Sequence, residues 1–130
     1  MPNKKIHIKV GAVVGATVAS GASIMKELHR VETIPGYKFD FIKVGLDTLM
    51  GGLAGGTFGA LPDILEPASN PHHRQFFHSK VTGLILLRIM ATVVNNNQGK
   101  ISKPLTLAGG AGYISHLVLD AQTPMGLPII

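Results

Sequence analysis

The sequence contains no cysteine and no tryptophan, and only 15% of its residues are charged. The absence of cysteine excludes disulfide bonds, thiol catalysis and zinc fingers of the cysteine type, although it does not fix the redox compartment. Any bound metal would therefore be held by histidine and carboxylate side chains. Charge is scarce compared with typical soluble domains, in which about a quarter of the residues are charged.

Long uninterrupted apolar runs are also missing, since none of the four apolar segments offers the roughly 20 uninterrupted residues that cross a bilayer. The segments cover residues 10–25, 44–62, 81–94 and 104–120. In a chain of 130 residues with sixteen glycines, they predict one all-α domain spanning residues 1–130. We expect a compact bundle of about four to five apolar, glycine-rich helices buried against each other, and helices embedded in a membrane are the alternative.

Glycine spacing predicts that helices of this bundle approach each other closely. Gly11 and Gly15 are four residues apart, and Gly51, Gly55 and Gly59 repeat the spacing. Residues four apart share one helix face, and a face without side chains lets two backbones come together. The same faces could join copies of the chain, so a homo-oligomer through them is a further expectation.

The basic residues do not predict a nucleic-acid groove. The net charge of +5 would suit nucleic acid or an anionic membrane surface, but Lys4, Lys5 and Lys9 form the only tight basic group. A nucleic-acid groove would cluster basic residues with stacking aromatic side chains. We therefore do not expect nucleic acid as a partner.

Turn and cap signals divide the chain between the apolar segments. Pro35 and Gly36 predict a turn. Asn70 followed by Pro71 is an N-cap and first-turn pair, and it predicts a helix that could run through Val94. The tail, residues 123–130, is irregular but apolar, so we expect it to pack back on the bundle.

The fourth apolar segment ends in a histidine and an aspartate four residues apart, His116 and Asp120. On a helix these two side chains share one face, and the residues between them are apolar. A buried aspartate costs several kcal/mol unless it is paired or bound to a cation. Two interpretations remain open: a structural hydrogen bond between the two side chains, or a pair of metal ligands. Asp47, by contrast, is expected to be a paired charge near the start of its helix.

Histidines and carboxylates recur near the ends of the other apolar segments. His73 and His78 are five residues apart, which is about 140° of rotation on a helix. They could therefore converge on one ion only if one of them lies in the loop or the first turn, or if other ligands lie between them. Arg74 beside them suits an anionic substrate. His7 alone would be interpreted as exposed, and Asp63 alone as a loop carboxylate. As a set, a bundle could gather six candidate ligands at one pole: His7, Asp63, His73, His78, His116 and Asp120. Six ligands exceed one tetrahedral zinc, so two metal ions are conceivable.

Four sequence elements carry a family resemblance. In order they are "IHIKVGAVVG", "GALPDI", "HHRQFFHS" and "GYISHLVLDAQTPMGLPI", and they span nearly the whole chain. They resemble the YdjM-type family of LexA-binding, inner-membrane-associated, metal-dependent hydrolases, which is similar in turn to the zinc-dependent phospholipase C and P1 nuclease group. The family pattern has a second aspartate where this chain has Leu65, and glycine and threonine where it has Gln75 and Phe77.

The resemblance implies a site and a function. His7, Asp63, His73, His78, His116 and Asp120 would bind one or two divalent ions, zinc being the expected metal, and Arg74 would orient an anionic group. The implied function is hydrolysis of a phosphoester, with an anionic phosphoester or a lipid as substrate, and the implied location is the inner membrane on its cytoplasmic side, or the cytoplasm. The alternative is a non-catalytic helical scaffold or protein-interaction module that retains the shape of the family's site.

Overall fold

The structure is a computed structural model that describes residues 3–67, 69, 76–96 and 103–130. Within these residues there are four helices and no strand: α1 (Lys4–Thr33), α2 (Phe41–Leu65), α3 (Lys80–Asn95) and α4 (Lys103–Ala121). The predicted all-α bundle is therefore confirmed. Consecutive helices run in opposite directions; α1, α2 and α4 all pack against each other, whereas α3 packs on α4 alone.

Three helix starts follow from side chains that cap the first turn. The side-chain oxygens of Asn3, Asp40 and Ser79 accept backbone N–H groups of the first turns of α1, α2 and α3, which those turns cannot satisfy internally. The predicted turn at Pro35 and Gly36 is confirmed, and Gly36 has a φ of 77°, a conformation that glycine adopts at no steric cost.

The sequence prediction for α3 is wrong in its starting point. A helix opened by Asn70 and Pro71 and running through Val94 would include residues 76–79, but these residues are not helical. The helix begins instead at Lys80, because Oγ of Ser79 accepts the backbone N–H of Thr82 at 3.1 Å. Asn70 and Pro71 themselves lie outside the described residues.

Backbone contact between glycines holds α1, α2 and α4 together. A Cβ on Gly55 would lie 2.7 Å from Cα of Gly15, and it would overlap the carbonyl oxygen of Gly11. From α4, a Cβ on Gly112 would lie 2.6 Å from Cα of Gly55. The predicted close approach is thus confirmed. Because these faces contact each other within one chain, association of copies through them stays a prediction.

The interior is small and polar, and the outside is large and apolar. The buried line of α1 consists of six residues spaced four apart: His7, Gly11, Gly15, Ala19, Ser23 and Glu27. Large side chains such as Met25, Phe41 and Leu84 are mostly exposed, and no described residue of α3 is buried. The helices are buried against each other through small residues, while their large apolar side chains lie mostly outside. Small residues at helix contacts and large apolar side chains outside are typical of helices that face lipid.

The tail and the α1–α2 turn close the bundle at its two ends. Backbone carbonyls of Pro128 and Ile129 accept N–H groups of Lys80 and Val81, so the expected packing of the tail on the body is confirmed. At the other end the buried carboxylate of Glu27 accepts a 2.7 Å hydrogen bond from the Tyr37 hydroxyl.

Candidate metal centre

Five side chains from four segments meet at one pole of the bundle. His7 lies in the first turn of α1, Asp63 in the last turn of α2 and His78 just before α3, and α4 contributes His116 and Asp120. Nε2 of His116 lies 3.3 Å from an oxygen of Asp120 and 3.7 Å from an oxygen of Asp63. Nε2 of His78 lies 3.5 Å and 3.6 Å from oxygens of the same two carboxylates.

The glycine faces are what bring these side chains together. His7 continues the line of Gly11 and Gly15 on α1, while Asp63 continues the line of Gly55 and Gly59 on α2. Because residues four apart lie above one another on a helix, each line ends at the same pole. A polar side chain stands at the end of each of these glycine lines. Close packing of the two helices therefore brings the polar side chains together at the pole.

Hydrogen bonds fix the orientation of two of the three histidine rings. Nδ1 of His116 donates to the carbonyl oxygen of Gly59 at 2.7 Å, which leaves Nε2 to face the two aspartates. Nδ1 of His78 lies 2.8 Å from Oε2 of Glu66. A histidine that binds metal through one nitrogen commonly donates its other N–H to a carbonyl or a carboxylate, as both rings do here.

The third ring, His7, is held by stacking. Its centroid lies 3.8 Å from that of His116, with 26° between the ring planes. Nε2 of His7 lies 3.6 Å from Oδ1 of Asp120. The structure therefore corrects the interpretation of His7 as an exposed lone histidine, since this side chain is only 1% exposed.

The buried nitrogens of this cluster suit a metal ion. Among the described residues, Nδ1 of His7 and Nε2 of His116 have no hydrogen-bond partner, and a buried polar atom without a partner costs about 1–3 kcal/mol. Two groups of three side chains have ligand atoms within 4.8 Å of one another: His7, Asp63 and His116, and His78, His116 and Asp120. Imidazole and carboxylate donors of this kind suit zinc and other divalent transition metals.

Both groups use His116, and this limits the number of ions. Nδ1 of His116 is engaged by Gly59, so only Nε2 remains for a metal. One nitrogen lone pair forms a bond to one metal ion. The five described side chains therefore suit a single ion better than two.

Burial and charge distinguish the members of the cluster. His78, His116 and Asp120 are 0% exposed, whereas Asp63 is 19% exposed and is the most accessible of the five. Burial lowers the pKa of His78, but hydrogen bonds to Asp63 and Glu66 outweigh it and leave the pKa above its usual value. A proton therefore competes with any metal for this ring.

The sequence predicts five of these side chains as candidate ligands, but it does not predict the role of Glu66 beside His78. His73 and Arg74 lie outside the described residues. No sequence pattern indicates that Glu66 orients the ring of His78, since only the fold brings the two side chains together. The carbonyl of Gly59 likewise leaves no signal in a side-chain pattern. Asp47 is paired as expected, with Nζ of Lys43 at 3.0 Å.

Comparison with known proteins gives one result at the level of the family. No curated protein and no solved structure matches the chain. Within the described residues, α1 is the one helix that is long and apolar enough to cross a membrane by length and composition, which agrees with an association with the membrane. The chain matches the family described as YdjM inner membrane protein over residues 1–130 and belongs to that family.

Proposed function

We propose that the chain is a membrane-associated hydrolase that uses one divalent metal ion, zinc in the first instance, to hydrolyse a phosphoester. The observation that carries this proposal is the convergence of His7, Asp63, His78, His116 and Asp120 at one buried pole. A bound ion would supply an electrophile that polarises the phosphoryl group and lowers the pKa of a water molecule.

The chain's own residues divide the remaining tasks. Glu66 and the Gly59 carbonyl hold the rings of His78 and His116 with Nε2 inward. Asp63 is the member of the cluster that reaches solvent, so water and substrate approach on its side. In the reaction, water adds to phosphorus, the bond from phosphorus to the alcohol oxygen breaks, and the proton of the water leaves with the alcohol.

Burial supports metal binding over a purely structural polar cluster. Three histidines and two carboxylates in a space this small would be costly if they served packing alone, because each buried polar atom needs a partner. A cation would bind the buried nitrogens of His7 and His116 and would offset the charge of both carboxylates. Binding of LexA, similarity to phospholipase C and the side of the membrane on which the pole lies stay predictions.

The test is metal analysis together with hydrolysis by the protein purified in detergent. We expect about one zinc per chain after zinc loading, and hydrolysis of bis(p-nitrophenyl) phosphate that a chelator abolishes and zinc restores. His116→Ala should lose both, whereas His29→Ala, a change at an exposed histidine outside the cluster, should keep both. Fewer than one ion per chain would overturn the metal site. Metal binding without hydrolysis would favour the non-catalytic scaffold.

A further inference from the structure

A groove between α3 and α4 adjoins the candidate metal centre. Its volume is about 370 Å³, near the lower end of the roughly 300–1,000 Å³ typical of ligand pockets. It is lined by Gly83, Leu84 and Leu87 of α3 and by Ile114, Leu117 and Val118 of α4, with Leu127 of the tail. Apart from one residue, the lining is apolar, which suits a hydrocarbon chain.

The exception is Lys80, the first residue of α3, which stands at one end of the groove. The Lys80 side chain is exposed, and its backbone N–H is already bound by the carbonyl of Pro128 at 3.0 Å. Within the described part of the chain no carboxylate pairs with its ammonium group. A ligand that fits this groove therefore combines an apolar chain with a negative charge at one end.

The charged end of the groove coincides with the pole that carries the cluster. Lys80 follows His78 by two residues, and Leu117 and Val118 stand between His116 and Asp120 on α4. The groove therefore extends along the bundle from the place where the cluster lies. A larger cavity of about 550 Å³ lies between α2, α3 and α4, and none of the described residues that line it is charged. These residues therefore give no selection for a headgroup.

We propose that the groove binds an acyl chain of an anionic phospholipid whose phosphate group is held by Lys80. If the proposed hydrolase function holds, on which this further step rests, anionic phospholipids are its substrate class. The apolar chain of the lipid lies against α3, a helix that has no buried residue of its own. Lipid is available to this groove because the family is described as an inner membrane protein. Its phosphate lies at the pole where the cluster would bind a metal ion.

The experiment measures lipid retained by the protein after equilibration in micelles that contain equal amounts of dioleoylphosphatidylglycerol and dioleoylphosphatidylcholine. The two lipids share acyl chains and differ in the net charge of the headgroup. We expect about fivefold preference for phosphatidylglycerol, as one lysine near a membrane surface provides. Lys80→Gln should abolish this preference, and Lys38→Gln, an exposed lysine in the turn before α2, should keep it.

A second pair of variants tests the apolar part of the groove. Leu84→Trp places a larger side chain in the groove. It should lower retention of both lipids about tenfold, because the indole ring and the acyl chain cannot occupy the same space without strain. Ile85→Trp is the matched control, because Ile85 follows Leu84 on α3, is exposed, and does not line the groove. Equal retention by these two variants, or an unchanged preference in Lys80→Gln, would overturn the proposal.

Metal content of the same samples separates the two proposals. Each of the four variants should keep the metal content of the wild type, because none of the residues belongs to the cluster. Metal binding without a preference for phosphatidylglycerol would overturn the lipid groove and leave the metal site intact. Lipid preference without bound metal would overturn the proposed function and leave the groove.

Discussion

Glu66 holds both the ring of His78 and the backbone next to it. Oε2 of Glu66 lies 2.8 Å from Nδ1 of His78, while Oε1 accepts the backbone N–H of Phe77 at 3.1 Å. The family pattern has an aspartate at the preceding position, where this chain has Leu65. In this chain the carboxylate of Glu66 contacts Nδ1 of His78, on the side of the imidazole ring that faces away from the cluster. This contact fixes the direction of Nε2 of His78.

Changes at Glu66 should lower metal affinity in graded steps. Glu66→Gln keeps an oxygen that accepts from Nδ1 but removes the charge, so we expect about tenfold weaker zinc binding. Glu66→Ala removes the contact as well and should approach a hundredfold, the upper range for residues that orient a ligand. Competition with a chelator of known affinity measures both values.

The control for this series is Glu32→Gln, which removes the charge of an exposed carboxylate on α1. It should bind zinc as tightly as the wild type. A Glu66→Ala protein with wild-type affinity would show that His78 needs no partner at Nδ1 to bind the ion.

Single-ligand variants should reveal that His116 is shared by both ligand groups. His7→Ala leaves His78, His116 and Asp120 in place, and His78→Ala leaves His7, Asp63 and His116. Each variant should bind the ion more weakly but retain it at high zinc concentration, whereas His116→Ala should lose it. Metal analysis by mass spectrometry checks the stoichiometry. Two ions in the wild type, or a full ion in His116→Ala, would contradict sharing of Nε2.

Close packing of the glycine faces should make Gly55 intolerant of any side chain. Gly55→Ala would place a Cβ 2.7 Å from Cα of Gly15 and into the carbonyl oxygen of Gly11. Backbone atoms on both sides cannot move aside easily, so we expect a loss of stability of at least about 1–3 kcal/mol. The change in stability is measured from the loss of the helical circular dichroism signal on heating, with all variants in the same detergent.

Gly45→Ala is the matched control in the same helix, because a Cβ there meets nothing within 4 Å. This change should stabilise α2 by roughly 0.5–1 kcal/mol, the usual advantage of alanine over glycine in a helix. Similar melting temperatures for the two variants would contradict the close approach of α1 and α2.

Local patterns in the sequence predict the helix contacts, because glycine spacing is read within one helix. The burial of His7 is not local, since it depends on the ring of His116, which is distant in sequence and stacks on it. The start of α3 also depends on a choice between two good caps, Asn70 and Ser79, and the local sequence does not decide it. The contact between His78 and Glu66 joins residues 12 apart in the sequence, so no pattern within one helix predicts it.

The outward faces illustrate a further limit of sequence patterns. An apolar segment predicts a helix whether its large side chains face a core or lipid, since hydrophobicity alone does not give the direction. Exposed Phe41 and Leu84, together with the buried line of small and polar residues on α1, show that the large side chains of this bundle face outward. The small residues, rather than the large ones, form its interior.

The end of α2 opposite the candidate metal centre should affect stability without affecting metal binding. Oγ of Ser23 donates to Asp47 at 2.6 Å, and Asp47 precedes Asp63 by sixteen residues, about 24 Å along a helix. Asp47→Ala leaves the buried hydroxyl of Ser23 without its acceptor, which should cost about 1–3 kcal/mol. Lys43→Gln removes only a partly exposed partner and should cost at most about 1 kcal/mol.

A double-mutant cycle tests this interaction directly. Because the two side chains act as one unit, Ser23→Ala combined with Asp47→Ala should be little less stable than Asp47→Ala alone. Thermal unfolding gives the three differences in stability, and zinc affinity is measured on the same proteins. Additive losses would show that the two residues act independently. A loss of zinc affinity in Asp47→Ala would show that the two poles are coupled through α2, in which case variants at the glycine faces could not separate folding from metal binding.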